Sequence, residues 1–145
     1  TVTGGEPLAQ RPCIGLLAGL CDAGYEVSLE TSGAVDIGAV DPRVCMVMDV
    51  KTPGSGEVAK NAAANLNWLK KTDQIKFVIC DRADYEWSRA FVQRERLAER
   101  CELLFSPAWG RIEPKDLAEW VLADRLPVRV QVQLHKLLWG EQRGR

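Results

Sequence analysis

The sequence predicts an α/β fold built on a parallel sheet, and three observations carry that reading. Segments of strand and helix periodicity alternate along the chain. Several strand segments are nearly continuous apolar runs, "CMVMDV" at 45–50 above all, as expected for strands buried on both faces. Polar residues follow the strand ends one after another, where such folds gather their chemistry.

The elements follow in order. "TVTGGEPLAQ" opens with the β-formers Val2 and Thr3, turns through two glycines, and places Pro7 where it suits the first turn of a helix. It reads as the end of a strand, a sharp turn and a helix start. Cys13, Leu16, Leu17, Leu20 and Cys21 recur at helical spacing, and Gly24 is a good stop. "YEVSLE" (25–30) alternates like a strand and "TSG" punctuates it. After the strand at 45–50, "KTPGSGE" (51–57) is a loop. "VAKNAAANLNWLK" (58–70) is rich in Ala with Leu66 and Leu69 on one face, which predicts a helix.

"QIKFVIC" (74–80) is another strand. The charged stretch 81–100 predicts a long amphipathic helix whose buried side includes Tyr85, Phe91, Val92 and Leu97. "CELLFSP" (101–107) is a strand, "EPKDLAEWVLAD" (113–124) a helix with Pro114 near its start, and "PVRVQVQLHK" (127–136) a closing strand by its alternation. Strands alternating with helices imply right-handed crossovers in a barrel or a doubly wound sheet. No repeat, low-complexity stretch or linker divides the chain, so residues 1–145 read as a single domain.

Composition narrows the function classes. With 46% hydrophobic and 27% charged residues the chain is expected to fold as a soluble globule rather than stay disordered. A net charge of −1 argues against a nucleic-acid surface, which would show a basic excess. No apolar run approaches the roughly 20 residues of a membrane span. The five cysteines, at 13, 21, 45, 80 and 101, are odd in number and widely spaced, with no metal-ligand pattern. They read as reduced, buried thiols of a cytoplasmic protein. Trp68, Trp87, Trp109 and Trp120 read as helix-to-sheet packing rather than base-stacking platforms.

Candidate site residues come from the strand ends: Gly4, Gly5 and Glu6; Glu30 and Thr31; Asp49 and Lys51; Asp81; Ser106; His135 and Lys136. On the parallel-sheet reading they ring one mouth. Two glycines in "TGGEP" let the backbone approach a ligand with no Cβ in the way. The same turn could equally be a tight βα connection with Glu6 favoured by a helix dipole. Lys51 has a solvated loop role open to it, Asp49 a capping role, and His135 a hydrogen-bonded place on the rim. There is no G-x-G-x-x-G fingerprint, and "PGSGE" lacks the G-K-[ST] ending of a phosphate loop.

Six blocks in order add a family resemblance: "VTGGEPLAQ", "VSLETSGAVD", "MDVKTPGSGE", "DQIKFVICDRADYEW", "LFSP" and "VQLHKLLWG". Together they resemble the 7-carboxy-7-deazaguanine synthases of the radical S-adenosylmethionine superfamily, over nearly the whole chain. The resemblance implies a partial (β/α) barrel of the radical S-adenosylmethionine type, truncated at the N-terminus. It implies a 4Fe–4S cluster, S-adenosylmethionine and Mg²⁺. It implies the radical ring contraction of 6-carboxy-5,6,7,8-tetrahydropterin to 7-carboxy-7-deazaguanine, with loss of ammonia, on the way to queuosine and other 7-deazapurines.

Carried over position by position, Gly4, Gly5 and Glu6 match the turn that holds the methionine end of S-adenosylmethionine. Asp49, Lys51, Asp81 and Asp84 match cofactor-binding segments. Thr3 and His135 match substrate-facing positions. Glu30 faces the same mouth by its place after the strand, and is expected to make a polar substrate or cofactor contact there. The expected partners are a small pterin substrate, an electron donor such as flavodoxin and a second copy in a homodimer, with no nucleic acid and no membrane. The three cysteines of the family's cluster motif and its Mg²⁺ contact have no counterpart in the sequence, so it is expected to be a C-terminal part of the enzyme. Taken alone it is expected to be inactive, and poorly stable or prone to associate. Two alternatives stay open: another radical enzyme such as a glycyl-radical activase, and an inactive ligand-binding remnant.

Overall fold

Residues 45–50 and 74–79 alternate between buried and half-buried side chains, and both lie in the middle of a five-stranded sheet. The computed structural model describes residues 1–140, without the side chain of His135. Strands β1 (Ser28–Thr31), β2 (Cys45–Val50), β3 (Gln74–Ile79), β4 (Glu102–Pro107) and β5 (Arg129–Val130) pair in chain order, and every pairing is parallel. Val2 adds a parallel bridge to Leu29 at the outer edge of β1, its N–H donating to the Ser28 carbonyl at 2.8 Å. The opening residues thus behave as a strand end.

The helices are α1 (Cys13–Asp22), α2 (Arg82–Arg94), α3 (Pro114–Asp124) and α4 (Leu134–Trp139). The first three cover one face of the sheet. In register, Leu29 stands opposite Met46, Met48 opposite Ile75, and Ile75 opposite Leu103, so these side chains share that face. They pack with Leu17 of α1, Tyr85 and Val92 of α2, and Leu117 and Val121 of α3. At about 25 cal/mol per Å² of apolar surface removed from water, this layer is the main source of stability. A doubly wound sheet reverses its strand order at a switch point. The order here runs straight through with helices on one side, the arrangement of consecutive β/α units.

The second face is where the sequence reading needs correction. Ser28, Glu30, Val47, Asp49, Gln74, Lys76 and Val78 point away from the helices and remain half-buried or exposed. The central strands are therefore buried on one face, and a polar face lies open. A parallel sheet is normally covered on both sides.

Three further elements differ from expectation. Residues 58–70 form two short 3-10 segments, Val58–Lys60 and Ala63–Trp68, instead of one helix. Their asparagines explain it. Asn61 exchanges hydrogen bonds with the Lys51 backbone, and the Asn65 amide bridges Ile37 N–H to the carbonyls of Gly33 and Val35. These tertiary bonds outweigh the helix propensity of the alanines. The charged stretch 81–100 breaks at Arg96, which sits at φ 51°, and resumes as the 3-10 turn Leu97–Glu99.

The closing strand shrinks to two residues and gives way to α4. The neighbouring strand ends at Pro107, which has no N–H to extend the ladder. Of the tryptophans, Trp87 and Trp120 pack against the core as expected, but Trp68 and Trp109 are exposed. Cys13 and Cys101 are buried, Cys21, Cys45 and Cys80 half-buried, and all five are free thiols.

Candidate functional site

Four loops meet at the C-terminal ends of the bridge residue Val2, β1, β2 and β3. The turn after Val2 takes Gly4 to φ 106° and Gly5 to φ 62°, conformations that side-chain-bearing residues rarely adopt. A Cβ built on either glycine meets open space, so the backbone itself, not crowding, selects glycine here. Pro7–Ala9 then forms a 3-10 turn, with Glu6 at its N-cap accepting from the Leu8 N–H at 3.1 Å.

Glu6 also ties this turn to the loop after β1. Its carboxylate accepts from the Thr31 hydroxyl at 2.9 and 3.0 Å, and from the Ser32 N–H and hydroxyl at 2.7 and 2.5 Å. Partial burial pushes this carboxyl's pKa up, but the hydrogen bonds from Ser32, Thr31 and Leu8 outweigh it and hold it below the usual range. Glu6 is thus an anionic clamp between two loops.

In front of the clamp lies a polar cavity of about 180 Å³ on the open face of the sheet. Thr3, Gly4, Gly5, Glu30, Asp49 and Lys51 line it, together with Thr31, Ser32, Val47 and Lys76. Seven positions chosen from the sequence, Thr31 among them, are therefore brought to one place. Thr3 donates to Glu30 Oε2 at 3.0 Å, and Lys51 Nζ reaches Asp49 Oδ2 at 2.6 Å. The other carboxylate oxygen, Asp49 Oδ1, is buried without a hydrogen-bond partner. A buried acceptor left unpaired costs about 1–3 kcal/mol, which a ligand N–H would recover.

The remaining sequence candidates lie elsewhere. Glu6 stands beside the cavity, bonded as described. Asp81 caps α2, accepting from the Asp84 N–H at 2.9 Å. Asp84 is buried and accepts from Thr52 Oγ1, Gly54 N–H and Cys80 N–H, so its carboxylate organises the loops after β2 and β3. His135 falls in α4 rather than at a strand end, and its side chain lies outside the described residues. Ser106 is buried at the end of β4. Lys76 is a cavity residue outside the sequence candidates, because it lies in the middle of β3 and not at its C-terminal end. A lysine interrupting "QIKFVI" was the available signal.

No family model matches the chain. Individual relatives do. The chain is 45% identical over 142 residues to the 7-carboxy-7-deazaguanine synthase of Chlorobaculum tepidum, covering 96% of this chain and 64% of that protein. It is 41% identical over 152 residues to the enzyme of that name from Koribacter versatilis, covering 95% and 67%. The Thermoplasma acidophilum synthase is 34% identical over 144 residues, covering 98% and 68%.

The chain belongs to the 7-carboxy-7-deazaguanine synthase family. It spans about two thirds of the length of these synthases, so the cavity and its loops account for part of a synthase-family protein. Among the described residues, no group of three or more His, Cys, Asp or Glu could hold a metal ion. No helix among them is long and apolar enough to cross a membrane.

Proposed function

We propose that the protein containing this chain carries out the reaction of its relatives' name, forming 7-carboxy-7-deazaguanine. The substrate would be 6-carboxy-5,6,7,8-tetrahydropterin and the reaction class that of a lyase. The observation that supports this best is the match at 45% identity over 96% of the chain. The polar cavity at the strand ends adds to it. On this reading the straight strand order belongs to a partial radical S-adenosylmethionine barrel whose inner face is the open face of the sheet.

The cavity fits the amino-acid end of S-adenosylmethionine. The bare backbone of Gly4 and Gly5 allows close approach, and Asp49 Oδ1 offers an acceptor to an ammonium group. When bound, S-adenosylmethionine supplies hydrogen-abstracting chemistry. Glu6 holds the two loops around it, Lys51 fixes Asp49, and Thr3 orients Glu30 toward a substrate N–H. Asp81 and Asp84 act on the cofactor side by shaping the loops after β2 and β3. His135 is assigned to the substrate. The described residues hold no ligand set for a 4Fe–4S cluster or Mg²⁺, so those groups do not fit these residues. The same reading includes an electron donor such as flavodoxin, a homodimer and a cytoplasmic setting. The relatives' shared name gives no support to a glycyl-radical activase.

The test is to express the full-length protein anaerobically with iron and sulfide and to assay 7-carboxy-7-deazaguanine from the tetrahydropterin. Product that disappears in Glu6→Ala and His135→Ala supports the reading. Cleavage of S-adenosylmethionine with no deazapurine overturns the substrate assignment. Turnover by the 145-residue chain alone overturns its expected inactivity.

A further inference from the structure

Among the described residues, Lys76 is the charged residue of the cavity with no side-chain hydrogen bond or ion pair. It is half-buried on the open face of β3 and lines the cavity with Asp49, which stands directly opposite it in the β2–β3 register. Opposite charges so placed normally pair. Here they do not. Asp49 turns Oδ2 to Lys51 at 2.6 Å, and Glu30 accepts from Thr3 at 3.0 Å. No carboxylate among the described residues forms an ion pair with Lys76. The result is a cation with no ion-pair partner among the described residues, lining the same polar cavity as Asp49, whose Oδ1 is buried and unpaired. Such a pair is complementary to a ligand that presents a carboxylate beside an N–H donor.

We propose that Lys76 binds a ligand carboxylate in this cavity while Asp49 Oδ1 accepts from an N–H of the same ligand. The inference rests on the functional reading above, which brings two molecules of this chemistry to the site. One is the pterin with its 6-carboxylate and ring N–H groups. The other is S-adenosylmethionine with its α-carboxylate and α-ammonium. Both present the same recognition elements, and the ammonium or N–H end would meet Asp49 in either case. A lysine in mid-strand, held by the sheet rather than by a loop, sets the depth at which the carboxylate stops.

The test compares ligands with and without the carboxylate, on the full-length protein, by calorimetry or fluorescence. The probes are 6-carboxypterin against pterin, and S-adenosylmethionine against its decarboxylated analogue. The unsubstituted protein should favour one carboxylate form by about tenfold or more, the worth of a charge-assisted hydrogen bond. Lys76→Gln should abolish that preference, and Lys76→Arg should keep most of it. Loss in the pterin pair places Lys76 on the substrate; loss in the sulfonium pair places it on the cofactor. A preference retained in full by Lys76→Gln in both pairs overturns the assignment of Lys76 alone. A full-length protein that binds neither scaffold, with or without its carboxylate, overturns this inference, and the product assay above then decides the functional reading separately. Lys76-dependent binding, in a protein whose full-length form makes no deazapurine, overturns only the reaction.

Discussion

Glu6 Oε2 accepts from both the backbone N–H and the hydroxyl of Ser32, at 2.7 and 2.5 Å, across 26 residues of chain. One carboxylate thereby fixes the glycine turn against the loop after β1. Glu6→Gln keeps the size but cannot accept at both ends, and it should cost about 1–3 kcal/mol in thermal or urea unfolding. The pH dependence has a definite sign. The folded pKa lies below the unfolded one, so this stabilisation is complete above the ordinary glutamate range and fades as pH falls through the folded value. Acid titrations of wild type and Glu6→Gln should converge below that point. Equal separation at all pH values would show that the clamp does not depend on charge.

Asp84 should matter for folding before it matters for ligands. Its buried carboxylate accepts from Thr52, Gly54 and Cys80. Asp84→Ala leaves three donors unsatisfied and should destabilise by about 2–4 kcal/mol. Gly54→Ala should be harmful for a related reason, since a Cβ there would lie 2.5 Å from Asp84 Oδ2. A stable Asp84→Ala chain that has lost only ligand binding would move Asp84 from the scaffold to the site.

What the sequence made legible follows from the range of the forces involved. The central strands were readable from their apolar runs, and Met46, Met48, Val50, Ile75, Phe77 and Ile79 all lie in the core, although burial on one face alone was not. Gly4, Gly5, Glu30, Thr31, Asp49 and Lys51 could be gathered at one mouth because a parallel sheet brings its strand ends together, whereas Thr3 came from the family resemblance. Residues 58–70 misled because alanine content is local information, whereas Asn65 takes its partners 28 to 32 residues away. The strand at 127–136 misled because alternation is necessary for pairing but does not provide a partner, and β4 ends at Pro107. The open polar face was hidden because Val47 and Val78 look like core residues in sequence while sitting half-buried.

Asn65 offers a sharp test of that long-range control. Its Oδ1 accepts from Ile37 N–H, and its NH₂ donates to two carbonyls, so both ends of the amide are committed. Asn65→Asp is nearly isosteric but turns a donor into an anion facing the carbonyls of Gly33 and Val35. It should destabilise by about 3 kcal/mol, at least as much as Asn65→Ala, and the loss should shrink in acid as the aspartate protonates. Denaturant unfolding at two pH values would check it. An Asp variant as stable as wild type at neutral pH would mean that this amide does not organise the segment.

Tyr85 sets the corresponding limit at alkaline pH. Its hydroxyl donates to Asp124 Oδ2 at 2.7 Å and to the Trp120 carbonyl at 2.9 Å, joining α2 to α3, while Arg89 Nη1 holds the same carboxylate oxygen at 2.6 Å. Burial, and then the hydrogen bond and charge of Asp124, push the phenol well above its ordinary pKa. A group whose folded pKa is raised contributes fully below its unfolded pKa, and the contribution is lost as pH rises toward the folded value. Unfolding free energy should therefore fall above about pH 10, where the unfolded phenol ionises and the folded one does not. Tyr85→Phe removes both hydrogen bonds, should cost about 1–2 kcal/mol at neutral pH, and should flatten this alkaline slope. If the slope persists unchanged in Tyr85→Phe, another group sets the alkaline limit.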